Sequence, residues 1–100
     1  MKTTFIKNGS DATVSVVGRF TTDEAAGFLK DIDPVMQEMF GQVTMDLSGL
    51  EFISSAGIRC FVMLHKACAS TGTKLVLKDL TPQIRDILTL TALIDKFNVE

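Results

Sequence analysis

Two serines side by side, followed by alanine and glycine, separate two apolar runs in the stretch FISSAGIR, Phe52 to Arg59. Small side chains between apolar runs mark a place where the chain turns, and paired hydroxyls at a turn offer two kinds of chemistry. One is structural: a serine at a helix start accepts a hydrogen bond from the first turn of the helix. The other is acceptance of a phosphate. The first N–H groups of a helix lack intrahelical partners and the dipole there is positive, so an anion is favoured at that end. A phosphate carried by Ser55 would be well received. Capping needs only one hydroxyl and two are supplied. Neither serine has Glu or Gln three residues on, because those positions are Gly57 and Ile58, so the reciprocal capping box is missing. Ala56 and Gly57 add low relief for the approach of a partner.

Other chemistries find little support. His65 is the only histidine, and a zinc site wants three or four protein ligands. About three helical turns would separate His65 from Ser55, beyond the reach of a hydrolase pair. Phosphate-cradling loops of the forms G-x-G-x-x-G and G-x-x-x-x-G-K-[ST] do not occur. No cofactor or metal is expected, and no catalysis.

The elements that must position the serines follow from periodicity. Thr3 to Lys7 and Ala12 to Arg19 are β-branched-rich, and Asn8-Gly9-Ser10-Asp11 between them predicts a β-hairpin. Ala25, Phe28, Leu29, Ile32, Val35, Met36 and Met39 recur at helical spacing, with Thr22 or Asp23 placed to cap the start. Pro34 interrupts that stripe, so a kink or restart is expected, with Asp33 as cap and Pro34 at the first helical position. Gln42 to Leu47 alternates as a strand, Ser48 to Ile53 reads as a loop, and a second helix begins at Ser54-Ser55-Ala56-Gly57. Gly57, Cys60, Phe61, Leu64, Ala67, Cys68 and Thr71 form its apolar stripe, ended by Gly72. Lys74 to Lys78 reads as a strand, Thr81-Pro82 as the start of a third helix, and Ala92 to Glu100 as a turn with a short terminal strand. Strands alternating with helices imply parallel pairs and right-handed crossovers, so the fold class is α/β: a small mixed sheet with helices packed on it.

A chain of 100 residues with 46% hydrophobic content is expected to form one domain, 1–100, with its own core. The formal charge is −2 and no Lys/Arg run exists, which leaves no electrostatic footprint for nucleic acid. No apolar leader and no run of about 18 apolar residues is present, so membrane insertion is not expected and a cytoplasmic location is. Cys60 and Cys68, eight residues apart on one helix, would lie roughly 12 Å apart along its axis, which excludes a mutual disulfide. They read as buried thiols. Arg59, Met63, Lys66 and Ser70 share the opposite face of that helix, and an apolar Met63 on a polar stripe, one and two turns from Ser55 with Arg59, suits a partner contact.

The segment TMDLSGLEFISSAGIRCFVMLHK, Thr44 to Lys66, closely resembles the signature region of STAS domains, named for sulfate transporters and anti-sigma factor antagonists. LTPQIRDILTLTALIDKF, Leu80 to Phe97, resembles their usual ending, so the likeness covers essentially the whole chain. In stand-alone members a serine at this helix start is phosphorylated by an anti-sigma factor that is an ATP-dependent kinase. By position the phosphoacceptor is Ser55, and Ser54 stands where many members have Asp. The resemblance implies a partner-switching antagonist: the unphosphorylated form binds the kinase and frees sigma, and a PP2C-type phosphatase resets the cycle. ATP then belongs to the partner. Asp46 and Ser48, at the end of the third strand, are placed to line the acceptor pocket, or Asp46 satisfies loop N–H groups. Thr21 takes the place where members often carry an acid after the glycine of strand two; Asp23 lies two residues further on. The alternative within the family is a scaffold subunit on the cytosolic ATPase of an ABC-type lipid transporter, without phosphorylation.

Overall fold

The computed structural model describes residues 1–100. Strands β1 (Lys2–Asn8) and β2 (Asp11–Phe20) form the expected antiparallel hairpin, in register from Lys2↔Val17 to Asn8↔Asp11. Gly9 turns it with φ +61°, a conformation that glycine adopts without steric cost. A 3-10 turn (Thr22–Glu24) leads into α1 (Ala25–Asp31) and α2 (Asp33–Gln37), then β3 (Gln42–Asp46), β4 (Leu50–Ile53), α3 (Ser55–Thr71), β5 (Lys74–Lys78), α4 (Pro82–Leu90) and β6 (Asn98–Val99).

The sheet runs β1-β2-β3-β5-β6, with every pair after the hairpin parallel. Strand β2 has two partners on one side: β3 along Asp11–Ser15 and β4 along Gly18–Phe20. Within the β4 pairing the register shifts between Gly18, opposite Leu50, and Arg19, opposite Phe52, and Gly18 takes φ +109°.

Strand β4 corrects the expected loop over Ser48 to Ile53. Its pattern is weak: Leu50 and Phe52 flank the exposed Glu51, but Ile53 next to Phe52 is buried as well, the run is only four long and its partner lies some thirty residues upstream. Gly49 makes the pairing possible: a Cβ there would lie 2.9 Å from Val17 Cγ2, and the Gly18 N–H donates to the Gly49 carbonyl at 2.9 Å.

The first helical stretch also departs from expectation. Neither Thr22 nor Asp23 caps it; the chain enters through the 3-10 turn, and Thr21 makes no capping bond. The break falls at Ile32, which precedes α2, so Asp33 is the first helical residue and its carboxylate accepts from Gln37 Nε2 at 2.9 Å. Met39 lies beyond the end of α2 and is 77% exposed, outside the stripe assigned to it.

One face of the sheet is covered. Ala12, Val14, Val16, Val43, Met45, Leu75 and Leu77 are buried, together with Cys60, Phe61, Leu64 and Cys68 of α3 and Ile84 and Leu88 of α4. Phe20, Phe28 and Phe61 pack ring to ring, 4.9 to 6.0 Å between centroids, in the tilted and edge arrangements that aromatic pairs prefer. Both cysteines are free, and burial raises their pKa values above the ordinary thiol value. The other face presents Thr4, Thr13, Ser15 and Thr44, with Ile6 and Val17 about half exposed.

Candidate functional site

The junction of β4 and α3 is built from backbone outward. The last β2–β4 pair is Phe20↔Ile53, and the next N–H, of Ser54, donates to the Phe20 carbonyl at 2.8 Å. That bond fixes the first residue outside the strand. Ser54 is extended (φ −82°, ψ 169°), and its hydroxyl accepts from the Gly57 N–H at 3.1 Å, the geometry of a helix cap. Its carbonyl accepts from the Ile58 N–H at 2.9 Å.

The two serines are thereby separated. Ser54 is half-buried and its hydroxyl is occupied by the cap; Ser55 is the first helical residue and is exposed. The N–H groups of Ser55 and Ala56 have no intrahelical acceptor at these positions. The first turn of α3 contains no acidic side chain, so nothing within it offsets the positive end of a 17-residue helix.

Gly57 faces inward. A Cβ there would lie 2.7 Å from Ile53 Cγ1 and 2.9 Å from the Phe20 ring, so glycine lets α3 sit directly on the β2–β4 pair. Its small size serves the core, in keeping with its place on the apolar stripe, and does not supply low relief at the surface. Ala56 is half-buried beside it.

Thr21 follows Phe20, whose carbonyl holds Ser54, and so flanks the helix start. Its hydroxyl donates to Asp23, which lowers the Asp23 pKa; the Asp23 N–H contributes second. Thr21 therefore presents an acid beside the turn without being one.

Asp46 and Ser48 form a unit of their own. The Ser48 N–H donates to Asp46 Oδ1 at 3.0 Å, and this bond, followed by one from the Ser48 hydroxyl, holds the Asp46 carboxyl below the usual carboxylate range; Lys78 adds a smaller effect. Their bonds shape the turn from β3 into β4, and no hydrogen bond or ion pair joins them to Ser55.

Arg59 and Met63 lie exposed along α3, Met63 at 44%. Spacings of four place them on the face of Ser55. Two further residues were not anticipated. Arg19 and Phe52 are cross-strand partners next to Phe20↔Ile53, and the guanidinium lies 4.6 Å from the Phe52 ring centroid. The cation stands at the rim of the junction. Its signal in the sequence was the alternation of Leu50 and Phe52, hidden while the segment was read as a loop.

No group of three or more His, Cys, Asp or Glu side chains is arranged to hold a metal ion, and no helix is long and apolar enough to cross a membrane. His65 packs edge-on against Phe97, 5.4 Å between centroids.

Fold and junction together define a class: a small mixed-sheet α/β domain that presents an exposed serine at a helix start, where parallel strands end. The chain belongs to the STAS domain family; residues 3–97 match the family described as "Mlab, STAS domain". A Bordetella bronchiseptica protein named as the anti-sigma factor antagonist BtrV is 33% identical over 58 residues, 58% of this chain. That match spans half the length of the relative, 50%. An anti-sigma factor antagonist from Mycobacterium paratuberculosis superposes with TM-score 0.82 at 24% identity, covering 98% of this chain and 83% of that one. The Bacillus cell fate determinant SpoIIAA in its phosphorylated form superposes with TM-score 0.77 at 11% identity, covering 99% of this chain and 91% of that one. At these identities the two structures speak for the fold.

Proposed function

We propose that residues 1–100 act as one STAS domain and as an anti-sigma factor antagonist in a partner-switching system. The unphosphorylated form binds an anti-sigma factor that is also a serine kinase, and so releases sigma; phosphorylation of Ser55 abolishes the complex, and a PP2C-type phosphatase restores it. The chain is the substrate of the kinase and catalyses nothing itself. The observation that carries this reading is the division of labour at the junction: Ser54 holds the cap bond, and Ser55 is exposed beside it.

The switch works by charge. A phosphate adds about −1.5 to −2 charge and three strong acceptor oxygens. On Ser55 it meets the positive end of α3, so the fold accommodates it and the effect falls on the partner docked over Ala56, Arg59 and Met63. Ser54, Gly57, Asp46 and Ser48 hold the geometry under that surface, and Thr21, with its bonded Asp23, borders it. Incubation with the cognate kinase and labelled ATP tests the assignment: Ser55→Ala should lose the label and Ser54→Ala should keep it. Equal labelling of Ser55→Ala would end it.

A second reading is the scaffold role that the STAS resemblance also allows; the matching family is described as "Mlab, STAS domain". In that reading the chain is a scaffold subunit on the ATPase of an ABC-type lipid transporter, and Ser55 is a contact without a switch. Co-purification with an ABC ATPase, unaltered by Ser55→Asp, would favour the scaffold over the switch.

A further inference from the structure

The far end of α3 carries a feature that the proposed switch does not use. Between the last three turns of the helix and the segment after α4 lies a cavity of about 380 Å³, within the range of small-molecule sites. Its apolar lining comes from Val62 on α3 and from Leu93 and Phe97. Its polar lining is Lys66 and His65 from the helix and Lys96 from the opposite wall, with no acidic side chain among the lining residues.

This is an uneven distribution for a chain of net charge −2. The ion pairs of the fold lie elsewhere, Lys7 with Glu38 and the Met1 amino group with Glu24, so neither Lys66 nor Lys96 has a carboxylate partner within 4.0 Å. His65 is spent on packing, its ring edge-on to Phe97 at 5.4 Å. Two lysines without carboxylate partners, one from each wall, thus line one concave site with an apolar floor. Water alone would suit the ammoniums, and an apolar body alone would suit the floor. One molecule that suits both carries a single anionic head and a hydrocarbon or aromatic body.

We propose that this cavity binds a small amphiphilic anion, an apolar body ending in a carboxylate, with Lys66 and Lys96 clasping the head and Val62, Leu93 and Phe97 covering the body. The lysine stems add apolar contact on the way to their charged ends. The inference is independent of whether Ser55 is phosphorylated.

The full chain has no Trp or Tyr, so the test reads amide chemical shifts instead of intrinsic fluorescence. Decanoate, titrated below its micelle concentration, should shift the amides of Val62, Lys66, Leu93 and Lys96 in a saturable way. Decanol and decyltrimethylammonium, with the same tail, should bind about 10-fold more weakly or not at all, and acetate should leave the spectrum unchanged. Lys66→Ala or Lys96→Ala should each weaken decanoate about 3-fold and the double variant about 10-fold, in keeping with exposed charge pairs. Ala69→Leu, which fills the cavity from an exposed helical position, should block binding while the remaining spectrum reports an intact fold. Absence of saturable shifts, equal binding of the cationic or neutral tail, or shifts centred on Ile6 and Val17 of the open sheet face would overturn the proposal. Shifts produced only by an acidic peptide, and not by decanoate, would overturn it in favour of a protein occupant.

Discussion

The two ends of α3 share a helix and a core but offer opposite surfaces. At the start the side chains are small, the cap is closed by Ser54, and free N–H groups point outward without an acid in the first turn. Toward the end the side chains are large, and apolar residues and two unpaired lysines line a cavity. The first end can accept a covalent charge because little stands over it; the second can enclose a molecule because the segment after α4 forms a second wall. A rigid helix lets the two act separately, and their separability is open to test.

The largest effect should come from the core that both ends lean on. Phe61→Ala should cost about 3–5 kcal/mol, because Phe61 is fully buried against Phe20 and Phe28, and urea unfolding would show it. If one end kept its amide shifts while the other lost them, the helix would not be a common support. Gly57→Ala comes next. It gains helix propensity of about 1 kcal/mol but forces a methyl to within 2.7 Å of Ile53, so a net loss on the order of 1–2 kcal/mol is expected, with shifts confined to the first end.

Ser54→Ala and Ser55→Ala sharpen the comparison within the first end. Loss of the cap should cost about 1 kcal/mol, whereas loss of the exposed hydroxyl should stay within about 0.5 kcal/mol. Equal costs would show that capping is shared and would weaken the division on which the switch rests. The smallest effect concerns Asp46. Its folded pKa lies below its unfolded one because the Ser48 N–H bonds the carboxylate, so its stabilisation is full above the ordinary carboxylate range. It is lost as pH falls through the depressed folded value. Asp46→Asn should therefore flatten slightly the acid limb of a stability-against-pH curve below about pH 4 and leave neutral labelling of Ser55 unchanged.

The second end was illegible in the sequence for a physical reason. Val62, His65 and Lys66 are neighbours on the helix, but Leu93, Lys96 and Phe97 meet them only through tertiary packing of a segment with no strong periodicity. The first end was more legible, because capping is local: Ser54 and Ser55 could be read from residue type and spacing, as could the stop of the helix at Gly72, which takes φ +74°. What the local pattern hid was β4, too short to signal itself, and with it the Arg19–Phe52 pair. The hairpin followed from turn chemistry, the parallel order from strands alternating with helices, and the terminal strand from the apolar weight of Leu93, Ile94, Phe97 and Val99. The 3-10 entry and the break at Ile32 did not, since Pro34 announces an interruption without saying which residue absorbs it.

The division between a capping Ser54 and an accepting Ser55 can be read from a single peptide. Trypsin leaves Asp31 to Arg59 as one peptide, with Ser48, Ser54 and Ser55 inside it. Fragmentation of that peptide after reaction with the cognate kinase and ATP places the phosphate directly. A single phosphate on Ser55 is expected, with loss of kinase binding in the modified fraction. A phosphate on Ser54 or Ser48, or an unmodified peptide from a protein that has bound an active kinase, would contradict that assignment.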